Sequence, residues 1–229
     1  MELPLKKLVT YEEPKIFEIG PCFRCEEIDS THCQEFYMME LYSLGQTIED
    51  MKRLTVDIVK ASVPIMSGYQ VLSLREFIKN DLGIDIAYES TETIIQMLVH
   101  KHHHLNPGLP HFMLMEYIEV VIEPILSAPN CLYFVTDYPT CTIAVADRVE
   151  GLNFIKRFEC FLNGLEVAHS FVDSLDYNDM NERLTNADVL GPEEYELLEL
   201  TQKGLLPPTV GLGIGIDRLC MLQYQKGDE

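Results

Sequence analysis

The dipeptide Asn163-Gly164 stands between two runs rich in β-forming residues, Arg157-Phe-Glu-Cys-Phe-Leu162 and Leu165 to Val172. A two-residue connection of this type requires positive φ at both positions, which Asn and Gly tolerate, and it matches the twist of paired antiparallel strands. The chain must therefore contain antiparallel sheet. Alternating apolar and polar residues predict further strands at Lys15-Ile-Phe-Glu-Ile19 and Glu35 to Tyr42, and Cys131 to Asp137 has the same character. Helical signals lie between them. Thr47-Ile-Glu-Asp50 reads as an N-cap followed by Ile48, Met51, Leu54 and Ile58 at helical spacing, and Ser73-Leu-Arg-Glu76 as a second capping box. Thr91 to His104 and Phe112 to Leu126 are separated by the breakers Asn106-Pro107-Gly108 and Pro110. These make 47–127 a largely helical section. A further helix is predicted from Pro192 to Lys203, with Gly204 past its end, and Gly211 to Arg218 leads into an apolar helix. The expectation is one mixed α/β (α+β) domain over 1–229, without repeat or linker.

No apolar run approaches the roughly 20 residues of a membrane span, so a soluble chain with no membrane partner is expected. The start MELPLKKLVTYEEPK lacks the apolar stretch of a secretory signal, and 7 cysteines, an odd number, suit reduced thiols in a cytoplasm. A formal charge of −20 and a pI near 4.6 disfavour extended contact with a phosphate backbone. Small anions such as ATP are a separate matter, since a few arginines and a metal suffice.

Arg24 and Glu26, then His32, Phe36, Glu40 and Tyr42 across a loop and a return strand, form a hairpin able to grip a nucleotide. Arginine offers a planar fork to phosphate or carboxylate, and Phe36 offers a face for a base. The same spacing also describes an ordinary surface hairpin. Cys22 and Cys25, with His32 and Cys33, admit a zinc or redox reading, but residues three apart on a strand point to opposite faces. His102, His103, His104 and His111 admit a metal reading, yet cationic side chains also suit helix C-termini.

Phe23-Arg-Cys-Glu26 and His32-Cys-Gln-Glu-Phe-Tyr-Met-Met-Glu-Leu-Tyr42 together resemble motif 2 of the class II aminoacyl-tRNA synthetases, lysyl branch. Gly211-Leu-Gly-Ile-Gly-Ile-Asp-Arg218 is similar to motif 3, and Arg157 to Asp173 to the branch's metal and substrate segment. The resemblance implies an antiparallel sheet flanked by helices, with 47–127 as a helical insertion, and ATP-dependent formation of an aminoacyl-adenylate. It implies that Arg24 and Arg218 are catalytic and that ATP meets Arg24, Glu26, His32, Phe36, Glu159 and Arg218. Mg²⁺ would take Glu159 and Glu166, as a hard cation preferring oxygen. The amino acid would meet Glu2, Glu40, Tyr42, Ala168, His169 and Asp173.

Departures narrow this expectation. Asp173 stands where the branch has a glutamate for the lysine ε-ammonium, and Glu166-Val-Ala-His-Ser170 replaces Glu-(Ile/Leu)-Gly-Asn-Gly. Ala168 matches instead the ligase that attaches β-lysine to elongation factor P, and Lys15 to Arg24 is similar to pyrrolysyl-tRNA synthetase. Motif 1 and an anticodon-binding domain are not found, although a homodimer remains open. The acceptor is left as a tRNA, an elongation factor P-like protein, or a small-molecule carrier. The alternative is a catalytically inactive paralogue acting as a binding or regulatory subunit.

Overall fold

The computed structural model describes residues 2–24, 33–105, 108–142 and 145–224. Among them seven strands form one sheet: β1 (Lys15–Phe23), β2 (Glu35–Leu44), β3 (Gly68–Ser73), β4 (Cys131–Thr136), β5 (Arg157–Leu162), β6 (Leu165–Val172) and β7 (Thr209–Gly215). Their order is β1-β2-β7-β6-β5-β4-β3, antiparallel throughout except for the parallel pair β3 and β4. The turn at Asn163-Gly164 is built as expected, with φ of 53° and 78°.

The helices are α1 (Glu2–Leu8), α2 (Ile48–Ser62), α3 (Leu74–Leu82), α4 (Thr91–Lys101), α5 (Pro110–Tyr117), α6 (Tyr177–Ala187), α7 (Pro192–Gln202) and α8 (Ile216–Tyr224). Thr47 caps α2 in a reciprocal box, its Oγ1 accepting from Asp50 N–H at 3.2 Å while Asp50 Oδ2 accepts from Thr47 N–H at 2.8 Å. Beyond α5 the helix widens into a π turn (Ile118–Ile122) and closes in a 3₁₀ turn (Glu123–Ile125). Pro124 has no N–H for a helical bond, which explains the stop. One part of the 47–127 reading is corrected: 68–73 is strand β3. It lies at the sheet edge with Tyr69 and Val71 exposed, so burial leaves little pattern in its six residues. Parallel pairing of β3 with β4 needs a long crossover, and α3, α4 and α5 supply it.

The two faces of the sheet are covered unequally. Phe158, Cys160, Val167, Leu212 and Ile214 pack with Met51 and Val59 of α2 and Leu219 and Leu222 of α8. On the other face, Val135 and Phe161 pack with Ile78, Leu98, Leu114 and Ile118 of the crossover helices. The β2–β7–β6 part of that second face carries Gly211, Gly213 and Gly215, which alternate along β7 with the buried Leu212 and Ile214. Opposite them in register stand Tyr42, Glu40 and Met38 of β2, and Phe171 and His169 of β6.

The glycines are required by close approach. A Cβ on Gly211 would lie 2.7 Å from Tyr42 Cε1, and one on Gly213 would lie 2.9 Å from His169 Cε1. Both distances are inside van der Waals contact, so neighbouring side chains lie flat only because β7 is bare here. Gly211→Ala is expected to push the buried Tyr42 ring aside and cost about 1–3 kcal/mol in urea denaturation, the usual range for overpacking. Gly68→Ala, whose Cβ meets nothing within 4 Å, should stay within about 0.5 kcal/mol of the unsubstituted protein.

Candidate active site

The bare face of β7 floors a cleft of about 450 Å³. Arg24, Phe36 and Met38 line it from the β1–β2 hairpin, Glu166, Ala168 and His169 from β6, and Asp217 and Arg218 from the start of α8. The Arg24 guanidinium sits 5.1 Å from the Phe36 ring centroid, and its backbone N–H donates to Gln34 O at 3.0 Å. Asp217 Oδ2 accepts from Tyr37 N–H at 2.5 Å, tying the first turn of α8 to β2. Arg218 Nη1 donates to the Glu166 carbonyl at 2.9 Å and to Glu166 Oε2 at 3.2 Å. Two guanidinium groups and an aromatic plate thus share one concave surface, a combination suited to a nucleotide and its phosphates.

The carboxylates differ in environment. Burial pushes the Glu166 carboxyl up, but His169, with Nδ1 at 3.7 Å, and the cations Arg218 and Arg157 outweigh it and hold it down at about 2. Glu159 is not among the cleft-lining residues. It is 4% exposed, accepting from Tyr138 Oη at 2.5 Å and from Arg157 Nη2. Glu123 is pushed up to about 7 by burial and by the negative charge of Glu159, Glu166 and Glu119. Among the described residues no three His, Cys, Asp or Glu side chains converge as a metal cluster. Glu166, with Glu35 and Asp217, is one of the carboxylates lining the cleft, and such groups can meet a cation carried in on phosphates, the usual way Mg²⁺ is held.

The residues expected to meet the amino acid divide into three groups. Glu40 and His169 flank Gly213 in register; His169 lines the cleft and Glu40 does not, its Oε2 being buried without a hydrogen-bond partner among the described residues, and burial pushes its carboxyl up. Ala168 lines the cleft while belonging to the buried cluster of the helix-covered face. Glu2, Tyr42 and Asp173 lie outside the cleft lining, grouped around Lys6: its Nζ is 2.6 Å from Glu2 Oε1, 2.5 Å from Asp173 Oδ1 and 5.4 Å from the Tyr42 ring centroid. Glu26 and His32 fall outside the described residues. His102 serves the scaffold, its Nε2 2.7 Å from Asp81 Oδ2, which also accepts from Tyr117 Oη at 2.8 Å.

Sequence reasoning missed Lys6, Glu123 and the engagement of Glu159 by Arg157 and Tyr138. Only Lys6 had a local signal, its i,i+4 spacing from Glu2. Glu123 has a measurable consequence. In the folded chain it keeps its proton up to about 7, against a reference near 4.5. The folded state therefore binds more protons between those values, and stability falls as pH rises through them. In the absence of divalent cations, Glu123→Gln is expected to flatten this decline in urea titrations run from below 4.5 to above 7.

A family model described as tRNA synthetases class II (D, K and N) matches residues 1–227. The lysine–tRNA ligase of Malacoplasma penetrans is 32% identical over 98% of this chain and 51% of its own length. That of Enterococcus faecalis is 31% identical over 97% and 49%, and that of Saccharolobus solfataricus 30% over 97% and 50%. The chain spans about half the length of these relatives. With its glycine-floored cleft and the two arginines that line it, the chain belongs to the class II tRNA synthetases of the D, K and N group.

Proposed function

We propose that this chain binds ATP in the cleft and activates the carboxylate of an amino acid as an aminoacyl-adenylate. The observation that carries the proposal is convergence: Arg24, Phe36, Glu166 and Arg218, far apart in sequence, line one cleft above a strand face made of glycine. An oxygen of the amino-acid carboxylate attacks the α-phosphorus, the bond to the bridging oxygen breaks, and pyrophosphate leaves with that electron pair. No protein nucleophile takes part. Arg24 steadies the α-phosphate and the incoming carboxylate, Phe36 offers its face to adenine, and Arg218 faces the purine and the γ-phosphate. Such fixed cations act by positioning and by stabilising developing charge.

Mg²⁺, when bound, supplies further neutralisation of the triphosphate. The residues fit it: Glu159, Glu166 and Glu119 lie close enough that their charges, after the larger effect of burial, help push the Glu123 carboxyl up beside Arg218. Glu166, which lines the cleft, would hold it at the expense of its contact with Arg218, while Glu159 is buried outside the lining with both oxygens engaged. Glu40, whose Oε2 has no hydrogen-bond partner among the described residues, suits the substrate α-ammonium. For the acceptor, the charge of −20 favours a protein or small carrier over a nucleic acid that needs a broad basic surface. A cytoplasmic setting agrees with the free thiols of Cys22, Cys33, Cys131, Cys141, Cys160 and Cys220.

Amino-acid-dependent ATP–pyrophosphate exchange tests this reading. Exchange is expected with at least one amino acid, falling about 10²-fold or more in Arg24→Ala and in Arg218→Ala, as when a single charge-stabilising donor is removed. Silence with every amino acid, together with no ATP binding, would favour the inactive binding-subunit reading instead.

A further inference from the structure

Along β7 the site runs in one line. Gly215 and Arg218 mark one end of the cleft, Gly213 lies under His169 with Glu40 beside it, and Gly211 comes next between Tyr42 and Phe171. Beyond them Asp173 accepts a hydrogen bond from Thr209 at the start of the strand. The amino-acid end of the cleft would extend in this direction, and there it is stopped. None of Lys6, Tyr42, Phe171 or Asp173 lines the cleft.

What fills that end is an ammonium group. Lys6 is 2% exposed, its Nζ 2.5 Å from Asp173 Oδ1 and 2.6 Å from Glu2 Oε1, with the Tyr42 and Phe171 ring centroids at 5.4 and 5.3 Å. Two carboxylates and two aromatic rings around one nitrogen make up the chemistry of an alkylammonium receptor. The space left beside Lys6, Asp173 and Thr209 is about 10 Å³, room for one water at most. Lys6 is also held from behind. Leu5 and Val9, on the same N-terminal segment, are buried with Tyr42, Leu3 is buried too, and Lys7 pairs with Glu196.

We infer that Lys6 is a specificity-determining residue which permanently occupies the ammonium compartment at the end of the amino-acid site. The amino acid activated by this chain is therefore one whose side chain lacks a terminal cation and stops short of Gly211. The inference rests on the amino-acid-activating reading of the cleft and names its substrate class. Among this family's members it sets the chain apart from a lysine-activating enzyme, because Asp173, the carboxylate that would meet a substrate cation, already has one.

Two measurements test it. In the first, ATP–pyrophosphate exchange on the unsubstituted protein compares lysine and ornithine with uncharged amino acids. Uncharged residues are expected to support exchange and the cationic ones not; exchange with lysine at a comparable rate would overturn the inference and leave the activating reading standing. In the second, Lys6→Ala is melted with and without butylammonium, which replaces the missing side chain. The amine is expected to raise the melting temperature of Lys6→Ala and leave that of the unsubstituted protein unmoved, since only the variant has a vacant receptor. No shift in Lys6→Ala would overturn the inference. Should Lys6→Ala fail to fold alone, refolding with the amine decides in the same way: recovery supports the inference, and failure to recover contradicts it. If no amino acid supports exchange, the activating reading falls and the butylammonium result still decides whether Lys6 fills an ammonium receptor.

Discussion

Close approach across β7 is the constraint on which the site depends. With a side chain at Gly211 or Gly213, the Tyr42 and His169 rings would be driven off the sheet. With Leu212 and Ile214 on the other side of the same strand, β7 seals a core below and leaves bare backbone above. The alternation of glycine and aliphatic residues therefore does two things at once, because successive side chains of a strand point to opposite faces. The crossover helices that pair β3 with β4 in parallel cover the far half of the upper face, α1 covers the part at Tyr42 and Phe171, and the cleft lies over Gly213 and Gly215.

A chain of net charge −20 has placed two arginines in its cleft by local means. Arg218 is held over Glu166 by both backbone and side chain, and Arg24 lies against Phe36. Behind them, burial and then the negative charge of Glu159, Glu166 and Glu119 push the Glu123 carboxyl up to about 7. Small anions feel these nearby groups far more than the distant surface charge, which solvent and salt screen within about 10 Å at 0.1 M. At the opposite end the signs reverse, and one buried ammonium balances Glu2 and Asp173. Burial opposes its charge, but those two carboxylates hold the Lys6 pKa above its ordinary value.

Legibility from sequence followed the range of the interaction. The turn at Asn163-Gly164, the cap at Thr47 and the Pro192 start of α7 are decided within four residues, and each was readable. The motif around Arg24 and Phe36 and the glycine strand before Arg218 were readable through family resemblance, and the geometry brings Arg24, Phe36, Glu166 and Arg218 together. Strand β3 was not, since a short exposed edge strand carries little burial pattern; α1, of 7 residues, and α6, a mostly polar helix that buries only Met180, Arg183 and Leu184, were also missed. Lys6, with no more than its i,i+4 spacing from Glu2 to mark it, and Glu123 were missed for a different reason. Their roles come from partners 167 positions away for Lys6 with Asp173, and from carboxylates on β5 and at the start of β6 for Glu123.

Titration calorimetry with a non-hydrolysable aminoacyl-adenylate mimic, an aminoacyl sulfamoyl-adenosine bearing an uncharged side chain, tests the central claim most directly. A mimic of the adenylate unites both halves of the cleft and should bind more tightly than ATP or the amino acid alone. The account predicts one molecule bound per chain, with affinity reduced in Phe36→Ala and Arg218→Ala. Absence of binding, or binding that neither substitution weakens, would contradict it.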